Sequence, residues 1–311
     1  MQPAPFLDDV ADGPGGAQAF WLQTRDRVRL RMVHWPTGPR GRVLLFPGRT
    51  EPAEKYGPVA RWLAVAGFGA SVIDWRCQGL SERLADDPLL GVVDDFADYQ
   101  HDVGAFLEAV TALDHGTAPT HLLAHSMGGT IALRALTGGM KLRAVAFSAP
   151  MWGLRMGGMT RAGARVLSRA GRLTRRDLQP VPGNPRDFHL WEVPFDDNML
   201  TTDRARYGWM QAQLHRHPML RLGPPSLRWL GAALRECRAL ARLRSPDVPA
   251  LAGLGSREKI VDPAAVELRM ARWRQGHLQR IGGAEHELLM EAEALRQPFL
   301  DAVLSLFRTA D

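Results

Sequence analysis

Two segments near the start of the chain, 17–24 (AQAFWLQT) and 27–36 (RVRLRMVHWP), alternate apolar and polar positions across a tight turn. Period-two alternation predicts an antiparallel hairpin with one wet face. From Gly41 the pattern changes. GRVLLFPG is a short continuous apolar run ending in Pro-Gly, as a strand buried on both faces requires. Residues 52–66 then carry a helical period through Tyr56, Val59, Ala60, Leu63 and Val65. FGASVIDW (68–75) predicts a second buried strand, and 94–113 an amphipathic helix through Phe96, Tyr99, Val103, Phe106, Leu107 and Val110. THLLAHS (120–126) reads as a strand, 127–137 as a helix and RAVAFSAP (143–150) as a strand. The alternation resumes with VPALAGLGS (248–256), a helix at 263–274, HLQRIGG (277–283) and a final helix at about 287–308. Strands alternating with helices predict an α/β fold, a mostly parallel sheet with helices on both faces.

Between those stretches the pattern breaks. Residues 151–245 contain Pro180, Pro182, Pro185, Pro194, Pro218, Pro224 and Pro225, with short helical stretches and no buried strand. This segment predicts a mainly helical insertion between two strands of the sheet. The expected organisation is a flexible leader at 1–16, a core made of 17–150 and 246–311, and the insertion at 151–245.

The chain has 311 residues, enough to bury a full core, and its 45% hydrophobic and 23% charged content is ordinary for a globular protein. No apolar run approaches the roughly 20 residues that span a bilayer. The opening MQPAPFLDDVADGPGG has neither the basic nor the apolar region of a secretory signal. Cys77 and Cys237 lie far apart and in no metal-like spacing, so they read as reduced thiols and exclude a zinc or Fe–S protein. No cofactor or metal is expected, and the location expected is cytoplasmic. Charge changes the picture more. Residues 151–245 hold 17 Arg and 7 Asp/Glu, a balance of +10, whereas the rest holds 22 Lys/Arg and 26 Asp/Glu, a balance of −4. That asymmetry suits an anionic partner such as a phosphate head group or a membrane surface, although a solvated arginine face would look the same. Nucleic acid is not expected, because no groove-reading motif is present.

The sharpest chemical signal is His125-Ser126-Met127-Gly128-Gly129, at the junction of a buried strand and a helix. A serine on such a turn is held above the sheet in a strained conformation, provided its neighbours two residues away are small. Ala124 and Gly128 satisfy that, Ala124 standing where the pattern G-x-S-x-G has its first Gly. A serine nucleophile needs a base and an orienting acid, which in this architecture follow it in the order Ser, acid, His. His286, in the Gly-rich loop opening the final helix, is the candidate base. Glu258, nearest the end of the 248–256 strand, is the first candidate acid. Asp262 is the second, with a helix cap as its other reading. His277, His215 and His217 read as surface or rim residues. An oxyanion hole needs two convergent backbone N–H groups. Met127 follows the nucleophile and supplies one. Pro47 has no N–H, so Arg49 is the candidate for the other.

The blocks FPGRTEPAEKY (46–56), DWRCQGLSER (74–83), AHSMGGTIAL (124–133), FSAPM (147–151), GSREKIVDP (255–263) and GGAEHELLME (282–291) resemble, in this order, the α/β-hydrolase family of monoacylglycerol lipases and bacterial lysophospholipases of the L2 type. The resemblance runs over roughly 17–308 and weakens in the insertion. It implies an α/β-hydrolase fold in which 151–245 is a cap, or lid, over the nucleophile. It implies the roles given above for Ser126, Met127, His286 and Arg49. Glu258 stands where the family usually has Asp, and Cys77 where its D-W-R-G-Q-G block has Gly. The cap would build the acyl site, with Met151 and Trp152 as substrate-binding residues among Met156, Met159, Met199, Met210, Met219, Trp191, Trp209 and Trp229. Those side chains suit either an adaptable apolar wall or a small satellite core. The activity implied is cleavage of one acyl chain from a lysophospholipid or monoacylglycerol, and the arginine excess of 151–245 would suit peripheral contact at an anionic inner-membrane surface. A thioesterase, a transacylase, an aminopeptidase and a non-catalytic lipid-binding module are the alternatives. Oligomeric state is not readable from the chain.

Overall fold

The computed structural model describes residues 1–114, 118–157, 163, 168, 171, 177–181 and 190–310. Its strands are β1 (Gln2–Pro3), β2 (Gln18–Gln23), β3 (Arg29–Trp35), β4 (Arg42–Phe46), β5 (Gly69–Asp74), β6 (Thr120–His125), β7 (Val145–Ser148), β8 (Ala250–Gly255) and β9 (Gly276–Ile281). They form one sheet in the order β1-β2-β3-β5-β4-β6-β7-β8-β9. Pairing is antiparallel from β1 through β3 to β5, and parallel from β5 onward. This is the α/β-hydrolase arrangement.

Strand β4 shows why its apolar run has no gaps. Leu44 and Phe46 enter one core with Phe106, Val110 and Ile131. Val43 and Leu45 enter the other with Val59, Leu63, Phe299 and Phe307. Successive side chains point to opposite faces, and both faces are covered. The helices among the described residues are α1 (Asp8–Ala11), α2 (Gly57–Val65), α3 (Tyr99–Leu113), α4 (Met127–Thr137), α5 (Arg204–Arg216), α6 (Leu227–Leu240), α7 (Pro263–Met270) and α8 (Glu293–Thr309), of which α2, α3, α4, α7 and α8 pack on the strands.

Two expectations need correction. The hairpin was expected to keep one wet face, but β3 is buried from Leu30 to Trp35. It is an inner strand between β2 and β5, and its buried Arg31 is neutralised by Asp74 at 2.7 Å and by Glu54 at 2.6 Å. The leader, expected to be loose, is tied down. Strand β1 pairs with β2, Gln213 donates to the Val10 carbonyl at 2.8 Å, and His217 meets Asp9 at 2.9 Å.

The described part of 151–245 contains α5, α6 and short 3-10 turns. An isolated bridge ties it to the rest, Leu154 to Val261, and a second, Pro180 to Ser226, lies within it. Met159, Pro182 and Pro185 lie outside the described residues. Part of its apolar content is structural: Trp191, Leu214 and Leu220 form a small core of their own. No helix among the described residues is long and apolar enough to cross a membrane. The parallel topology brings the loops after β4, β6, β8 and β9 to one edge of the sheet, where open α/β sheets form their crevice. Those loops carry Arg49, Ser126, Glu258 and His286.

Candidate active site

Strand β6 ends at His125 and α4 begins at Met127, so Ser126 alone makes the turn. Its backbone sits at φ 47° and ψ −116°. Such a conformation costs about 1–3 kcal/mol in a non-glycine residue and persists only where the surroundings over-determine it. Here the Ser126 N–H donates to the Ser148 carbonyl at 3.0 Å, while the Ser126 carbonyl accepts from Met151 and Gly129, each at 2.9 Å. A side chain at Gly128 would overlap the Phe46 carbonyl oxygen of β4, which is why this position admits only hydrogen.

His286 follows β9. Its Nδ1 meets Glu258 Oε2 at 2.7 Å, with both side chains buried. The other Glu258 oxygen accepts from the backbone N–H groups of Ile260 at 2.6 Å and Val261 at 3.0 Å. Burial would raise the Glu258 carboxyl, but His286 and these two N–H groups outweigh it and hold it below the usual carboxylate range. Asp262 instead accepts from the Ala264 N–H at 3.2 Å and caps α7. The carboxylate that touches His286 is therefore Glu258.

Ser126, Met127 and His286 line one cavity of about 300 Å³, together with Arg49 and Met151. Its remaining walls are largely apolar and include Leu154, Leu190, Met199, Leu200 and Met210. Trp152 lies apart from this lining. It is buried in the core, stacked on Trp273 with its Nε1 donating to the Gly129 carbonyl at 3.0 Å. A substrate contact at Trp152 therefore has no support from its position. His277 and His215 are exposed, and His217 is half-buried against Asp9.

The loop after β4 is held at several points. Trp75 Nε1 donates to the Pro47 carbonyl at 2.9 Å, the Gly48 N–H donates to Glu51 Oε2, and the Thr50 N–H donates to Gln78 Oε1 at 2.6 Å. Thr50 adopts φ 68°, an outlier for a β-branched residue. Among the described residues no acceptor takes the backbone N–H of Arg49 or of Met127.

Sequence reasoning missed a buried ionic group beside this loop. Lys55 Nζ donates to Glu51 and, at 2.6 Å, to Glu287, and Tyr56 Oη donates to Glu51 at 2.7 Å. His125 Nδ1 lies 3.0 Å from the Ser148 carbonyl, and its Nε2 lies 3.3 Å from Glu287. The carboxylate only accepts, so Nε2 carries a proton, while Nδ1 faces both the Ser148 carbonyl and, at 3.2 Å, the Ser148 hydroxyl, and the neighbouring carboxylates favour the imidazolium. Burial would lower its pKa, but Glu287 and Glu51 outweigh burial and raise it. Glu287 is held well below its ordinary range despite burial, by His125 and Lys55. Glu51, His125 and Glu287 bring ligand-type atoms within 4.8 Å of one another, and Lys55 supplies the positive charge between the two carboxylates. The group ties the 48–51 loop to the segments carrying Ser126 and His286. The Glu51-Lys55 spacing was the available signal, but four-residue spacing alone reads as a surface pair.

The chain matches the family described as Hydrolase_4, serine aminopeptidase S33, over residues 37–293. It is 32% identical to the lysophospholipase L2 of Escherichia coli strain K12, covering 93% of this chain and 88% of that protein. A probable lysophospholipase L2 of Haemophilus influenzae is 28% identical over 91% of this chain and 90% of its own. In structure the chain resembles a soluble variant of monoglyceride lipase from Saccharomyces cerevisiae solved with a substrate analog. The TM-score is 0.74, with 20% identity and 99% of each chain covered.

Proposed function

The chain belongs to the serine aminopeptidase S33 family of α/β-hydrolases and is a carboxylic ester hydrolase, and from that premise we propose that it cleaves the single acyl ester of a lysophospholipid or monoacylglycerol through a serine acyl-enzyme. The observation that carries this reading is the 2.7 Å contact of buried His286 and Glu258 at the wall of the cavity that Ser126 also lines.

Ser126 Oγ attacks the ester carbonyl, and His286 Nε2 takes the hydroxyl proton. Glu258 accepts from Nδ1–H, fixes the tautomer and stabilises the imidazolium that forms. The Arg49 and Met127 amides donate to the oxyanion, as preorganised dipoles that need not reorient. His286 then gives its proton to the departing glycerol oxygen. Water, deprotonated by His286, releases the fatty acid and restores Ser126. The apolar cavity takes the acyl chain.

Two measurements test this. Fatty-acid release from lysophosphatidylcholine and from a monoacylglycerol is expected for the native chain and lost in Ser126→Ala. A fluorophosphonate should add once, at Ser126, as read by intact mass. Labelling that persists in Ser126→Ala would place the nucleophile elsewhere.

A further inference from the structure

The cations packed around the site are not equally satisfied. Lys55 is clamped between Glu51 and Glu287. Arg31 has Glu54 and Asp74, and Arg76 has Asp102 and Asp26. Among the described residues Arg83 has no carboxylate partner, but it spends its guanidinium on the carbonyls of Cys77, Gly79, Met219 and Arg221. Arg49 has neither kind of compensation. Its Nη2 donates to one carbonyl, that of Gly223, at 2.8 Å, and its Cζ lies 5.3 Å from the centroid of the Trp229 ring. Its Nε is buried with no hydrogen-bond partner, and among the described residues no carboxylate pairs with it. A guanidinium carries five N–H donors, so most of its capacity is unused.

Its position gives that capacity a use. Arg49 lines the cavity that holds Ser126 and His286, and it also lines a second cavity of about 190 Å³ bounded by Val193, Tyr207, Leu222 and Ile260. Lys55 and His125 are balanced by Glu51 and Glu287, which leaves Arg49 as the uncompensated positive charge in the lining of the first cavity. Burial lowers its pKa to about 10, and an anion placed beside it would raise it again.

We propose that the Arg49 side chain is the phosphate-recognition group of this site, so that the enzyme favours a phosphate-bearing monoacyl lipid over a neutral monoacylglycerol. The inference rests on the ester-hydrolase reading and narrows it. The ester of such a lipid stands one glycerol unit from its phosphate. A phosphate oxygen accepting from the free Arg49 N–H groups would make the fork-shaped, charge-assisted contact for which guanidinium is suited. A monoacylglycerol offers only hydroxyls there. The role belongs to the side chain and is separate from the backbone N–H of the same residue.

The test compares Arg49→Gln with the native enzyme on lysophosphatidylcholine and monoacylglycerol of one chain length. The ratio of the two kcat/KM values should fall about tenfold to a hundredfold in the variant, the loss expected for one or two charge-assisted hydrogen bonds. Arg49→Lys, which keeps a charge but loses the fork, should fall between them. Both substrates losing rate in equal proportion would overturn the proposal and leave Arg49 a loop residue. A binding arm separates this from the function itself. Ether-linked lysophosphatidylcholine, which cannot be hydrolysed, should bind Ser126→Ala at least about tenfold more tightly than it binds Ser126→Ala/Arg49→Gln by calorimetry, while a monoalkylglycerol should show no such difference. If that binding difference appears although the native chain hydrolyses neither lipid, the hydrolase reading fails and the phosphate site stands. If hydrolysis occurs without the binding difference, the reverse holds. Glycerol 3-phosphate alone binding as tightly as the lipid would overturn the assignment to a lipid head group.

Discussion

Ser126 is held in a conformation its side chain disfavours, and the backbone hydrogen bonds from Met151 and Gly129 and to Ser148 keep it there. Glu258 is the next most informative side chain, because the three hydrogen bonds it accepts serve two different jobs. Two hold the carboxylate and one holds His286. Glu258→Gln keeps the shape but cannot stabilise an imidazolium, so kcat should fall by at least ~10²-fold with an unchanged circular dichroism spectrum. Near-normal turnover in that variant alongside an inactive Asp262→Asn would move the acid to Asp262. His125 makes a prediction about pH. Its folded pKa is raised from 6.5 by Glu287 and Glu51. A raised value means that the native state holds the proton more tightly than the unfolded chain. The resulting stability is complete below about pH 6.5 and is lost as pH rises through the folded value. The difference in melting temperature between the native chain and His125→Gln should therefore be largest near pH 6 and shrink under alkaline conditions. A difference that grows with pH would contradict the imidazolium.

At the scale of elements, the contact between β4 and α4 sets how closely the serine turn can approach the crevice. Gly128 stands where the two backbones meet. Gly128→Ala forces them apart, and overpacking of this kind costs about 1–3 kcal/mol, which should lower the urea midpoint. Because α4 carries the Met127 N–H, activity should fall further than stability alone accounts for. A similar backbone demand explains a departure in the β5 loop. Cys77 occupies φ 65°, a region that favours glycine, and glycine is the residue that the resembling family has there. The buried Sγ of this cysteine donates to the Val92 carbonyl at 3.4 Å.

For the whole molecule, the unequal distribution of charge is the property that no single site explains. Several arginines of 151–245 are spent on ion pairs, as with Arg228 on Asp177 and Arg216 on Asp9. Arg238, Arg242 and Arg244, at and beyond the end of α6, are exposed. If this end meets anionic lipid, cosedimentation with phosphatidylglycerol vesicles should weaken as salt rises from 0.05 to 0.5 M (illustrative conditions, on the order of those where the Debye length shrinks from ~14 to ~4 Å). Hydrolysis of a short soluble ester should change little over the same range. Equal binding to neutral and anionic vesicles at low salt would show that the arginines are a solvated face.

Much of the fold was legible in the chain because its signals are local. An apolar run such as GRVLLF predicts a strand covered on both sides, and Gly128 beside Ser126 announces a tight strand-to-helix turn. The order Ser126, Glu258, His286 was legible too, since chain order survives folding. What the tertiary structure decided are relations between distant residues. It chose Glu258 over Asp262 as the partner of His286 by turning one carboxylate inward and using the other to cap α7. It made β3 an inner strand, so that Arg31, a polar position in an alternating segment, became a buried ion. It packed Trp152 into the core and brought Glu51, Lys55, His125 and Glu287 together from three separate segments of the chain. It also left the Arg49 guanidinium without a carboxylate partner. Neither a pairing across many residues nor the lack of one is encoded in local periodicity, because burial and charge compensation are properties of the packed chain.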